Sequence, residues 1–226
     1  DEEASDEFAG LFVSLTMAMA YALLTRWDLC TYIMALQRRL GKATYGNVRT
    51  INTIVRFAQR KPKALHYRKM KCLRRLEADS DTGFRREADE TGHVDGKSAR
   101  GANFMRMGKD AHGKTICHFI DCAVGMTKVA VRSTFTSETH GVIASADQAI
   151  CLALTMHEIQ HGPLTLSEAK RATDERVLGV DIVVWTDAKN LLLALEVANL
   201  KTPAENKFLV NLMWLKHKLT MGVIDT

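Results

Sequence analysis

Leu76-Glu-Ala-Asp-Ser-Asp-Thr-Gly-Phe84 is the stretch on which the fold turns. It predicts a strand that stops at Gly83 with an acid, Asp81, near its end. Two more acids stand at comparable boundaries. Glu138 opens a helical run from Ser137 to Met156, and Asp187 closes the apolar run Val180-Asp-Ile-Val-Val-Trp-Thr-Asp187. Strand end, helix start and strand end, drawn from separate segments, can converge carboxylate oxygens on hard divalent ions. Hydrolysis of a phosphodiester by paired Mg²⁺, the ions about 3.5–4 Å apart, needs a cluster of this kind. Asp79 shares a strand face with Asp81, because side chains alternate along a strand, and is the rival first ligand.

Around this stretch the chain changes texture. Residues 8–60 carry helical periodicity. Phe8–Leu24 is uncharged over 17 residues and apolar nearly all round, with Gly10, Ser14 and Thr16 as interruptions. It is at the short limit for a membrane span, and a buried helix is expected. Asp28–Leu40 carries Leu29, Tyr32, Ile33, Leu36 and Leu40 on one stripe, and Asn47–Gln59 carries Val48, Ile51, Ile54, Val55 and Ala58. Lys61-Pro62-Lys63 ends this part. Strands are expected at 73–81, 102–107, 116–122 and 128–134, with a charged, mobile loop at 85–100. A helix from about Ser137 to Gly162-Pro163 follows. Then come a strand at 180–186, helices at 188–197 and 204–220, and the opening of another strand at Gly222–Thr226. Strands followed by alternating helix and strand predict a mixed α/β domain (about 71–226) behind a helical segment (about 1–70).

Composition agrees with a globular protein, 46% hydrophobic and 25% charged. Five scattered cysteines suggest reduced thiols in an intracellular compartment, cytoplasmic or nuclear, and not a disulfide framework. The start, Asp-Glu-Glu-Ala-Ser-Asp-Glu, lacks Met and the basic opening of a secretory signal, so a fragment or processed product is expected. The formal charge of +5 hides an asymmetry. Arg26–Arg75 holds 14 Lys or Arg against the single acid Asp28, a local net of +13. Such a block is either a solvated helix face or a phosphate-binding surface, and its one-sidedness favours nucleic acid. Arg38, Arg39, Arg56, Arg60, Lys61 and Lys63 are the candidate contacts there. Lys189, two residues after Asp187, is another. Trp27, Tyr45 and Tyr67 lie among these cations and either stack on bases or pack between helices.

The order Asp, Glu, Asp also carries a family likeness. Leu24-Thr25-Arg26-Trp27-Asp28-Leu29, Ile54-Val55-Arg56-Phe57-Ala58, Ser80-Asp81-Thr82-Gly83-Phe84, Lys97-Ser98-Ala99-Arg100-Gly101-Ala102-Asn103-Phe104, Arg132–Glu138 and Val184-Trp185-Thr186-Asp187 run in order. In that order they resemble the C-terminal part of a copia-type LTR retrotransposon Pol polyprotein, the end of its reverse transcriptase followed by its ribonuclease H domain. The resemblance implies a ribonuclease H-like mixed sheet flanked by helices, preceded by the helical basic segment. It implies that Asp81, Glu138 and Asp187 hold Mg²⁺ (or Mn²⁺) and that the RNA strand of an RNA–DNA hybrid is cut. The implied partners are that hybrid and the rest of the polyprotein, with no membrane. The family's fourth acid has no match here; Asp225 falls in the expected last strand, so by resemblance the domain is truncated before its last motif. The polymerase's paired aspartates are absent, since no two aspartates are adjacent. A degenerate remnant that binds nucleic acid without catalysis is the alternative.

His157-Glu158-Ile159-Gln160-His161 spells a zinc-protease signature, two histidines on one helical face with a glutamate between them. Gly162-Pro163 cuts the helix immediately afterwards. Leu164 and Ser167 stand where the extended motif needs glycine and histidine, leaving Glu168 and Glu175 as third-ligand candidates. The bland alternative is a helix end that carries two histidines. Cys117, His118, Cys122 and His112 fit no usual four-ligand spacing, and Trp185 is expected in the core.

Overall fold

The computed structural model describes residues 2–83, 96–128, 130–197 and 208–226, without the side chains of residues 72–74. Most of the expected charged loop, residues 85–95, and the start of the expected last helix, 204–207, lie outside the described residues. The chain divides into two units, Asp1–His66 and Tyr67–Thr226. Tyr67 belongs with the second because its hydroxyl donates to the Phe119 carbonyl at 2.7 Å.

The first unit is helical: α1 (Asp6–Ala22), a 3₁₀ turn (Trp27–Leu29), α2 (Cys30–Gln37) and α3 (Tyr45–Arg60). Thr44 starts α3 with a capping box, its side chain accepting from Asn47 N–H while the Asn47 side chain accepts from Thr44 N–H. Val48, Ile51 and Ile54 of α3 then meet Leu29, Ile33 and Leu36 in one core. The expectation of a wholly buried α1 is corrected. Only the Phe12, Thr16 and Met19 stripe is buried, while Phe8, Leu11, Val13, Met17 and Tyr21 are exposed. Two short neighbouring helices cover one face of a helix, not its circumference. Tyr32, expected on the inner stripe, is likewise exposed.

Arg26 ties this unit together. Its guanidinium is 7% exposed, grips Asp28 through two bonds of 3.0 and 3.1 Å, and donates to the Ala58 carbonyl at 3.1 Å. Lys63 also reaches Asp28, at 3.1 Å. The start of α2 and the end of α3 are thereby joined through one carboxylate.

The second unit opens with an antiparallel meander, β1 (Cys72–Gly83), β2 (Ala99–Lys109) and β3 (Thr115–Met126). Among the described residues of the expected strand at 128–134, none is in a strand. Ser133 accepts from Thr136 N–H at 3.1 Å, and this cap starts α4 (Thr134–His161) three residues earlier than expected. After α4 come α5 (Leu166–Asp174), β4 (Asp181–Thr186), α6 (Lys189–Glu196) and α7 (Leu209–Thr220). The helix α5 was not expected, although Thr165-Leu-Ser-Glu168 is a capping box legible in the sequence. β4 joins β1 in parallel, so the sheet order is β3-β2-β1-β4. A single parallel bridge from Val183 to Asp225 extends pairing to the chain's last residues, as the sequence led one to expect.

One face of this mixed sheet carries the core. Leu76, Ala78, Ala102, Phe104, Ile182 and Val184 pack against Val142, Ala146, Ala149, Ile150 and Ala153 of α4, with Leu191 of α6 and Leu212 and Leu215 of α7 in the same cluster. Among the described residues α4 is the one helix long and apolar enough to cross a membrane, and it packs on the sheet through this stripe. Trp185 corrects the core expectation: it is 47% exposed because odd positions of β4 point to the other face.

The Arg26–Asp28 pair generates a prediction. Its hydrogen bond to Arg26 holds the Asp28 carboxyl below the usual carboxylate range. A depressed folded-state pKa gives stability that is complete above the unfolded value, about 3.9, and is lost as pH falls through the folded value. Denaturant titrations of the first unit should therefore lose stability below about pH 4 in wild type and much less steeply in Asp28→Asn. Arg26→Ala, which leaves Asp28 only its contact with Lys63 and the Ala58 carbonyl without this donor, should lower stability by about 1–3 kcal/mol at neutral pH.

Candidate carboxylate site at the ends of β1, β4 and α4

Alternation along β1 sends Ser80 and Thr82 toward α4 and Asp79 and Asp81 to the opposite face. Asp81 pairs across β2 with Gly101, so no side chain stands opposite it. The β1–β4 register ends with Ser80 beside Thr186, which brings Asp187 out of β4 next to the end of β1. Asp81 and Asp187 are both exposed there.

Glu138 approaches the end of β1 from α4, on the Ser80 and Thr82 face, opposite the face that carries Asp81. It is the fifth residue of the helix, not a first-turn residue, so the positive helix end acts on it less than the sequence suggested. What fixes its position is Gly141, one turn on. A Cβ at Gly141 would lie 2.3 Å from Thr82 Cγ2 and 3.3 Å from Ser80 Oγ, so helix and strand touch backbone to side chain here. The contact seats Glu138, half-buried, over the end of β1. Sequence reasoning missed both Gly141 and Thr82, because a glycine inside an apolar helix carries no signal of what it packs against.

Burial raises the Glu138 carboxyl above the ordinary range, the Thr82 side chain lowers it, and the charges of Asp187 and Asp81 raise it further. The Thr82 hydroxyl makes no complete hydrogen bond, so its effect is that of a near polar neighbour. The three expected carboxylates thus share one electrostatic field, and Asp79 does not enter it. Asp79 is raised by its own burial and by Glu77, deeper along the strand.

Carboxylate oxygens are the donors that Mg²⁺ and Mn²⁺ prefer, and mutual repulsion of this kind is what a cation offsets. The donor chemistry therefore fits such an ion. The spacing is open: among the described residues no three His, Cys, Asp or Glu are gathered closely enough to hold a metal. A groove of about 420 Å³ runs along α4, lined by Arg100, Thr127, Lys128, His140, Asp147 and Cys151 among others, and none of the three acids lines it. Arg100 is the β2 partner of Thr82, so a cation adjoins the acidic end. Arg100 and Lys128 were not among the expected contacts.

The expected cations divide. Arg38 and Arg39 are exposed just after α2, and Arg56 and Arg60 are exposed on one face of α3, with Lys61 beyond. Arg49 extends that stripe by helical spacing. Lys63 is engaged with Asp28, and Lys189 is exposed at the first position of α6. Tyr45 packs on Phe8 with ring centroids 5.5 Å apart, and Tyr67 on His118 at 5.3 Å. Packing, not free stacking surface, describes both.

Among the described residues no third His, Cys, Asp or Glu joins His157 and His161. Glu158 accepts from Leu164 N–H at 3.1 Å, and Glu168 accepts from Thr165 N–H at 2.9 Å in the α5 cap. Cys117 and His118 are neighbours on β3 and point to opposite faces, and His118 is buried with its pKa lowered by that burial. Compared with protein-family models and with curated proteins, the chain matches none.

Two outcomes follow from this geometry. Gly141→Ala should destabilise the second unit by about 1–3 kcal/mol, and adding Thr82→Ser, which removes the clashing methyl, should restore much of the loss. Because its folded-state pKa is raised, ionised Glu138 subtracts stability above the unfolded value, and stability rises as pH falls through the folded value. Glu138→Gln should accordingly raise the thermal midpoint at pH 7 in the absence of divalent ions. An unchanged or lower midpoint would show that the acids do not repel.

Proposed function

We propose that the second unit is a ribonuclease H-like domain that hydrolyses the RNA strand of an RNA–DNA hybrid. The observation that carries this reading is the parallel β1–β4 register, which sets Asp187 next to the end of β1 where Asp81 stands, with α4 and its Glu138 seated on β1 at Gly141. The β3-β2-β1-β4 order supports it, with a meander followed by helix and parallel strand and a further parallel bridge at Asp225. The reading keeps the likeness to the copia-type Pol polyprotein as its source, with the first unit corresponding to the end of the reverse transcriptase.

Asp81, Glu138 and Asp187 would hold the divalent ions. Paired Mg²⁺ supplies an activated water and neutralises the leaving 3′ oxygen. Thr82 and Gly141 keep Glu138 aimed at the strand ends. Arg100 and Lys128 line a groove suited to a phosphate backbone, and Arg56 and Arg60 offer the first unit's cationic face. The domain would work inside cells, with the rest of the polyprotein as partner.

The alternative is a remnant that binds nucleic acid without cleaving it, and the open spacing of the three acids favours it. Incubating a labelled hybrid with the protein and Mg²⁺ separates the two. Catalysis predicts RNA-strand cleavage that drops at least about 100-fold in Asp81→Asn and Asp187→Asn, while hybrid binding persists. Salt-sensitive binding with no Asp81-dependent cleavage leaves the remnant reading standing. In either case Arg56→Ala or Arg60→Ala should lower the salt slope of binding by about one phosphate contact each.

A further inference from the structure

The His157–His161 pair is the one motif of the sequence that the proposed function leaves without a role. We propose that these two histidines form a binding site for a borderline transition-metal ion, of the Ni²⁺ and Zn²⁺ class, at the C-terminal end of α4. The site is independent of the acid cluster at the other end of the same helix.

Four features combine. The spacing of four residues puts both rings on one face of α4, and their centroids lie 4.6 Å apart with the planes tilted by 43°. Rings with centroids this close can each turn one nitrogen toward a shared ion at the metal–imidazole bond length of about 2.0–2.1 Å. His157 Nδ1 is buried without a hydrogen-bond partner, so no protein hydrogen bond to that atom fixes the ring. His161 is exposed and open to an arriving ion. Finally, the last turn of a 28-residue helix presents the negative end of its dipole, which favours a cation.

The proposed ion site makes no use of the protease reading of the motif. Glu158, which would be its general base, is turned to the Leu164 N–H. Water would complete the coordination sphere, so this is a two-ligand site that takes up and releases its ion. Imidazole selects the ion: nitrogen donors suit Ni²⁺, Cu²⁺ and Zn²⁺, whereas Mg²⁺ requires oxygen. Glu138 and His157 are nineteen residues apart on one helix, about 28 Å at 1.5 Å per residue. Hard and borderline ions would therefore occupy opposite ends of α4 without competing.

Calorimetric titration of the intact chain with Ni²⁺ tests the site, using His157→Gln and His161→Gln with folding checked by circular dichroism. The expected result is one Ni²⁺ per chain, abolished by either substitution and unchanged by excess Mg²⁺ or by Asp81→Asn. Affinity should rise in the order Mn²⁺, Co²⁺, Ni²⁺. Ni²⁺ should also raise the thermal midpoint of wild type and of neither histidine variant. Absence of binding, binding that survives either substitution, or displacement by Mg²⁺ overturns the proposal. None of these results bears on hybrid cleavage, which fails or succeeds at the carboxylates.

Discussion

Where α4 crosses β1, Gly141 leaves no room for a Cβ, which would meet Thr82 Cγ2 at 2.3 Å. Every larger residue would lift the helix from the strand, and the rest of the second unit is arranged around that closeness. The residues that follow on the same stripe, Ser145, Ala146, Ala149 and Ala153, are small as well, so the helix stays near the sheet along its length. Bulk is supplied from the other side by Leu76 and Phe104 of the sheet and by Leu191, Leu212 and Leu215 of α6 and α7. A helix held this closely can carry Glu138 to the strand ends without a long flexible loop, and a site built on rigid elements keeps its geometry.

Both units pair their buried cations within the fold. In the first, the Arg26 guanidinium is matched by Asp28 and by the Ala58 carbonyl, so its charge is compensated within the fold. Lys218 of α7 is handled alike in the second, 5% exposed yet donating to Asp174 at 2.9 Å and to the Thr173 carbonyl. These pairs join elements distant in sequence. At the ends of β1, β4 and α4 the Glu138 carboxyl is raised first by its own burial and then by the charges of Asp187 and Asp81.

Much of the fold was legible because it rests on periodicity. Val48, Ile51 and Ile54 mark α3, the alternation around Leu76 and Ala78 marks β1, and the compact apolar run Ile182–Val184 marks β4. Thr165-Leu-Ser-Glu168 carried a signal for α5 that went unread. Other features were not legible. The sequence around α1 is apolar on all sides, and only the number of helices available to cover it decides that one stripe is buried. Trp185 reads as core by composition, but the strand's alternation turns it outward. Thr134, at the end of an expected strand, belongs instead to the helix that the Ser133 cap starts.

By itself the sequence determined the elements, their order, the concentration of positive charge between Arg26 and Arg75, and which three acids stand at element ends. These follow from local physics: repeat periods, caps and chain-breaking residues act over a few positions. The tertiary structure alone decided that β4 enters beside β1 in parallel, which brings Asp187 to Asp81. It also decided that Gly141 is the point of closest approach, and that Glu138 senses Asp81 and not Asp79. Those are relations between residues 57 to 106 positions apart in the chain. Only packing and strand register, acting across the whole unit, can set them.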